Sequence, residues 1–86
     1  MDEELKIKFR AAGFRNGEYD GMRVNIEGII IDACEHPYKG IYMSSVYSTK
    51  RIVKSSEKFI PVDSSVQTIA KTVLEIYNEL REPEAE

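Results

Sequence analysis

The chain has 86 residues, 42% hydrophobic and 31% charged, a balance that excludes the low-hydrophobicity, high-charge composition of a disordered polypeptide. That length fits one core and not two, so the sequence predicts a single domain over 1–82 followed by an acidic tail at 83–86. A net charge of −3 excludes a surface that is basic throughout, yet residues 35–62 hold five basic and two acidic side chains while residues 63–86 hold two and six.

The first predicted element is a half-buried strand over Leu5–Ala11, where Leu5, Ile7, Phe9 and Ala11 alternate with Lys6, Lys8 and Arg10. The Asn16-Gly17 and Asp20-Gly21 steps that follow supply the positive φ angles of tight turns, which reads as a hairpin loop over 13–21. A second strand is expected from Met22 to Ala33, bent at Gly28, where alternation gives way to the apolar run Ile29–Ile31. Glu35-His36-Pro37-Tyr38-Lys39-Gly40 is a connecting turn, and Ile41–Ser48 resumes strand composition. Between Thr49 and Val62 any fourth strand is an edge strand, because Pro61 cannot donate to a ladder.

The last element is an amphipathic helix. Val66, Ile69, Ala70, Val73, Leu74, Tyr77 and Leu80 recur at three- and four-residue steps, and Ser64 with Gln67 has capping-box spacing. Short connections between neighbouring strands imply an antiparallel meander. The expected fold is therefore α+β: a three- to four-stranded antiparallel sheet, β-β-β-(β)-α, with one C-terminal helix packed on one face. This order resembles, in topology alone, small coactivator-type proteins that dimerise and grip single-stranded DNA across a sheet. Fold order by itself warrants no functional claim.

Catalytic and metal chemistry find little footing in these residues. One cysteine and one histidine, Cys34 and His36, have no further soft ligands to complete a zinc site. A Cys-His nucleophile pair needs both side chains in one cleft, whereas Cys34 reads as the buried end of a strand. Gly13, Gly17 and Gly21 do not match phosphate-loop fingerprints. Neither an enzyme, a metal site nor a cofactor is expected. The lone cysteine and the absence of a charged-then-apolar leader predict a reducing, cytoplasmic setting, and Ile29–Ile31 is far short of the ~20 residues of a membrane span.

Two binding readings remain. In the first, Lys6, Lys8, Arg10 and Arg23 form a basic stripe on the free sheet face, bordered by Lys50, Arg51 and Lys54 and interleaved with Tyr42 and Tyr47. Cations with aromatic platforms suit single-stranded nucleic acid or a small nucleotide-like anion. Alternating cations on an exposed strand also serve solubility and edge protection. In the second reading, the apolar end of the sheet, Ile29 and Ile31 with Tyr38 nearby, is an interface for a partner protein, as in an inhibitor, adaptor or subunit. A domain this small hides only about 60% of its unfolded surface, so a homodimer is expected in either case.

Overall fold

Period-two patterning through residues 22–60 builds the framework of the computed structural model, which describes residues 1–81. The order is α1 (Glu3–Ala11), β1 (Arg15–Asn16), β2 (Met22–Ile26), β3 (Ile29–His36), β4 (Gly40–Ser48), β5 (Val53–Ile60) and α2 (Val66–Leu80). The strands form one antiparallel sheet in sequence order, β1 to β5. This is the expected α+β meander with a C-terminal helix, enlarged to five strands by the short β1 and by a hairpin inside the segment read as one bent strand. The acidic tail lies outside the described residues.

The first element is a helix, not the predicted strand. Leu5, Ile7 and Phe9 fit a period of two, but Leu5 and Phe9 also fit a helical step of four, and they are the buried pair. The end signals favour the helix. Asp2 caps it by accepting from the Leu5 amide, Glu3 and Glu4 sit in the first turn, and Lys8 and Arg10 in the last, each complementing the helix dipole. Gly13, at φ 101°, ends it in the left-handed conformation while the Phe14 amide reaches back to the Phe9 carbonyl.

The turn at Glu27-Gly28 corrects a second expectation. Both residues have positive φ, 52° and 90°, so the chain reverses in a two-residue hairpin and places Ile29 directly opposite Ile26. In one continuous strand these two would face opposite ways. The reversal puts Ile29 and Ile31 on the same face as Met22 and Val24, where both are buried. They are core residues, not the interface that the sequence suggested. By the same parity Cys34, expected to be buried, is exposed on the other face.

The core gathers Leu5 and Phe9 of α1, Met22, Ile29, Ile31, Ala33, Ile41, Met43 and Ile60 of the strands, and Ile69, Val73, Ile76 and Leu80 of α2. Both helices therefore pack on one side of the sheet. The stripe of α2 is rotated from the predicted one: Ile76 is 0% exposed and Leu74 58%. Its cap is also one residue later, since Ser65 accepts from the Thr68 amide while buried Ser64 donates to the Pro61 carbonyl. The Tyr77 hydroxyl donates to Glu27 and ties α2 to the β2–β3 turn.

An ion cluster fixes α1 to the loop before β2. Asp20 accepts from Lys6 and from the Met1 ammonium, and these partners, Lys6 foremost, hold its carboxyl down at about 2. A depressed acid pKa contributes stability that is fully present above the ordinary value of 3.8 and is lost as pH falls towards 2. Asp20→Asn should thus lower Tm at neutral pH, and the gap from the wild type should close as the pH approaches about 2. A gap that stays constant to that pH would contradict this assignment. In denaturant titrations Ile76→Ala should cost about 2–5 kcal/mol, whereas Leu74→Ala should stay within about 0.5 kcal/mol of the wild type; equal losses would mean that α2 is rotated from this register.

Candidate functional site

The residues not committed to the core share the second face of the sheet. Arg23 and Asn25 of β2, Ile30, Asp32, Cys34 and His36 of β3, Tyr42, Ser44, Val46 and Ser48 of β4, and Val53, Ser55, Glu57 and Phe59 of β5 alternate with the buried positions, and none of them is buried. No described element covers them.

Strand register arranges these side chains in cross-strand rows. One row runs Arg23, Asp32, Ser44, Glu57. Within it Arg23 Nε donates to Asp32 Oδ1 at 2.6 Å, which holds the guanidinium pKa above its ordinary value. Glu57 accepts from the Tyr42 hydroxyl at 2.7 Å, and that hydrogen bond raises the phenol pKa. On one side of this row lie Asn25 opposite Ile30 and Val46 opposite Ser55. On the other side the row is Cys34, Tyr42, Phe59. Phe59 is the centre of an aromatic cluster, with the Tyr42 ring at 5.0 Å, the His36 ring edge-on at 5.8 Å and Lys39 Nζ at 5.2 Å.

The predicted basic stripe does not assemble. Lys6, Lys8 and Arg10 belong to α1, where a step of two residues turns by about 200° and sends Lys8 to the side opposite Lys6 and Arg10. Each is also occupied: Lys6 by Asp20, Lys8 by the Ser64 carbonyl at 3.2 Å, Arg10 by Glu3 at 3.1 Å and Asn16 at 3.3 Å. Arg23 and Tyr42 do reach the free face. Tyr47 and Lys54 project to the helix side, Tyr47 half-buried against the core. Lys50 and Arg51 are exposed in the β4–β5 loop, and Tyr38 in the β3–β4 loop. Sequence reasoning missed Ile30, whose face is set by the Glu27-Gly28 reversal, and Val46, Val53 and Phe59, whose signal was their alternation with buried positions within β4 and β5.

Reactive groups are spread apart. Cys34 and His36 share the free face two residues apart, about 7 Å along a strand and beyond hydrogen-bond reach. His36 Nδ1 already accepts from the Tyr38 amide at 3.2 Å, and the face's two carboxylates are engaged by Arg23 and Tyr42. Among the described residues no group of three or more His, Cys, Asp or Glu could hold a metal ion, and no helix is long and apolar enough to cross a membrane. A cleft of about 240 Å³ opens where the β1–β2 loop meets the free face, lined by Glu18, Tyr19, Gly21, Arg23, Asp32 and Cys34 among others.

Comparison with models of known families, with curated proteins and with solved structures finds no match to this chain.

Proposed function

We propose that this chain is a non-enzymatic protein-interaction module whose working surface is the free face of its sheet. The observation that supports this is the combination on one face of exposed apolar side chains, Ile30, Val46, Val53 and Phe59, with an Arg23–Asp32 ion pair and a Glu57 carboxylate that accepts from Tyr42. A partner that covers this face removes apolar area from water, at roughly 25 cal/mol per Å². Its desolvation cost is lowered at Arg23, which carries the Asp32 carboxylate with it, and Glu57 keeps the Tyr42 hydrogen bond. The Phe59 cluster offers the rigid aromatic anchors that dominate protein interfaces.

A polyanion gains less here. Affinity for nucleic acid grows with the number of phosphates neutralised by accessible cations, and most cations of the first reading are engaged within the chain. Lys39 and the Lys50-Arg51 pair lie at opposite ends of β4, roughly 26 Å apart for a strand of this length. They do not form a continuous track.

Two measurements check this reading. Binding of a short single-stranded oligonucleotide should be weak at low salt, with a shallow log–log salt slope of about one or two phosphate contacts; a slope of about four or more would favour the nucleic-acid reading. A photoreactive amino acid at position 46, used in an extract of the source cells, should join the chain to a protein identifiable by mass spectrometry, while the same group at exposed Lys71 should not. Nucleic-acid adducts alone, or equal labelling from both positions, would overturn the proposal.

A further inference from the structure

The rows of the free face are complementary to themselves, and from this we infer its occupant: a second copy of this chain, packed face to face about a two-fold axis that runs parallel to the strands between β3 and β4. The inference rests on the protein-docking reading of the same face and names its partner.

Such an axis reverses the strand order but keeps each row at its own height, so β3 lies over the partner's β4 and β2 over the partner's β5. In the charged row, Arg23 then stands over the partner's Glu57 and Asp32 over the partner's Ser44. In the next row Ile30 meets the partner's Val46, apolar against apolar, and Asn25 meets the partner's Ser55, polar against polar. In the third row Cys34 lies over the partner's Tyr42. The partner's Phe59 then lies over Gly21, which is one residue beyond the Met22–Ala33 pair and lines the 240 Å³ cleft together with Tyr19, Asp32 and Cys34. All three rows match in both directions, because a two-fold makes each contact twice.

The two-fold parallel to the strands brings one like-charged pair side by side across the axis, Asp32 and the partner's Asp32, each already bonded to its own Arg23, and the competing two-fold carries more. An axis across the strands, centred on the charged row, would set Arg23 against the partner's Arg23 and Glu57 against the partner's Glu57. Juxtaposed like charges are strongly disfavoured in an interface. The rows tolerate the rotation of about 30° between aligned sheets, since the closest matches, Ile30 with Val46 and Asp32 with Ser44, lie beside the axis.

The matched patch is four strands wide and about six residues long, roughly 19 by 20 Å. That is about 380 Å² on each chain, below the size of a standard specific interface and in the range of weak, transient contacts. The dimer should therefore be reversible and populated only as concentration rises.

The test uses the purified full chain. Sedimentation equilibrium over a range of concentrations should show monomer and dimer in exchange, and Val46→Arg should weaken the dimer by at least about tenfold while Lys71→Glu leaves it unchanged. Val46 is exposed, so the variant should retain its fold, which circular dichroism verifies. A short bismaleimide should join Cys34 to the partner's Cys34, because the two β3 strands flank the axis, and the cross-link should vanish in Val46→Arg. A dimer that survives Val46→Arg, or that Cys34 does not cross-link, would place the contact on another surface and overturn the inference. A chain that is monomeric at high micromolar concentration would overturn it as well. In that case protein adducts from position 46 in extract would leave the docking reading standing, and their absence would remove both.

Discussion

Strands that send every second side chain into a core send the alternate ones the opposite way, and here both helices pack on the same side. The Glu27-Gly28 reversal decides which set goes where. It assigns Ile29, Ile31 and Ala33 to the helices and Ile30, Asp32 and Cys34 to the free face. A one-residue change in that turn would exchange the two sets and leave the core lined with Asp32 and Cys34. The positive φ angles at both turn positions, the Gly28 amide held by Asn25 and the Tyr77 hydrogen bond to Glu27 are local devices, but the division of the molecule into a packed side and a free side depends on them.

Charge is distributed according to the same division. Three cations on the helix side have partners that join elements: Lys6 and Asp20 link α1 to the loop before β2, Lys8 links α1 to the Ser64 carbonyl before α2, and Lys58 pairs with Glu79 of α2 at 2.7 Å. Exposed pairs of this kind add little stability individually, but they leave few of these cations available to a polyanion. On the free face Arg23 and Asp32 neutralise each other and Glu57 is held by the Tyr42 hydroxyl, which leaves the apolar and aromatic residues beside them as the features a partner can exploit.

The sequence made some of this legible and hid the rest for identifiable reasons. The C-terminal helix stood out because Ile69, Val73 and Leu80 repeat over about three turns, although including Leu74 instead of Ile76 rotated its face by part of a turn. The meander and its edge strand followed from short connections and Pro61. The first helix was hidden because Leu5, Ile7 and Phe9 satisfy two periodicities at once, and only the capping and dipole signals at Asp2, Glu3, Glu4 and Gly13 separate them. Of the candidate site, Arg23 and Tyr42 were placed on the free face by alternation alone. Ile30 was not, because a single glycine read as a bend instead of a turn inverts the parity of the strand that follows, whereas Val46 shares the Tyr42 side of β4 by alternation and Phe59 lies in a segment whose strand pattern is weak.

The central claim is that the Ile30–Val46 side of the sheet is the surface through which this chain meets other protein, beginning with itself. Methyl NMR spectra of the purified chain recorded across a concentration series test it most directly. The account predicts that the methyl signals of Ile30 and Val46 shift with concentration while those of core Ile29, Ile31 and Ile76 and of helix-side Ile7 and Leu74 stay fixed. Shifts confined to Ile7 and Leu74, or no concentration dependence at any methyl, would contradict it.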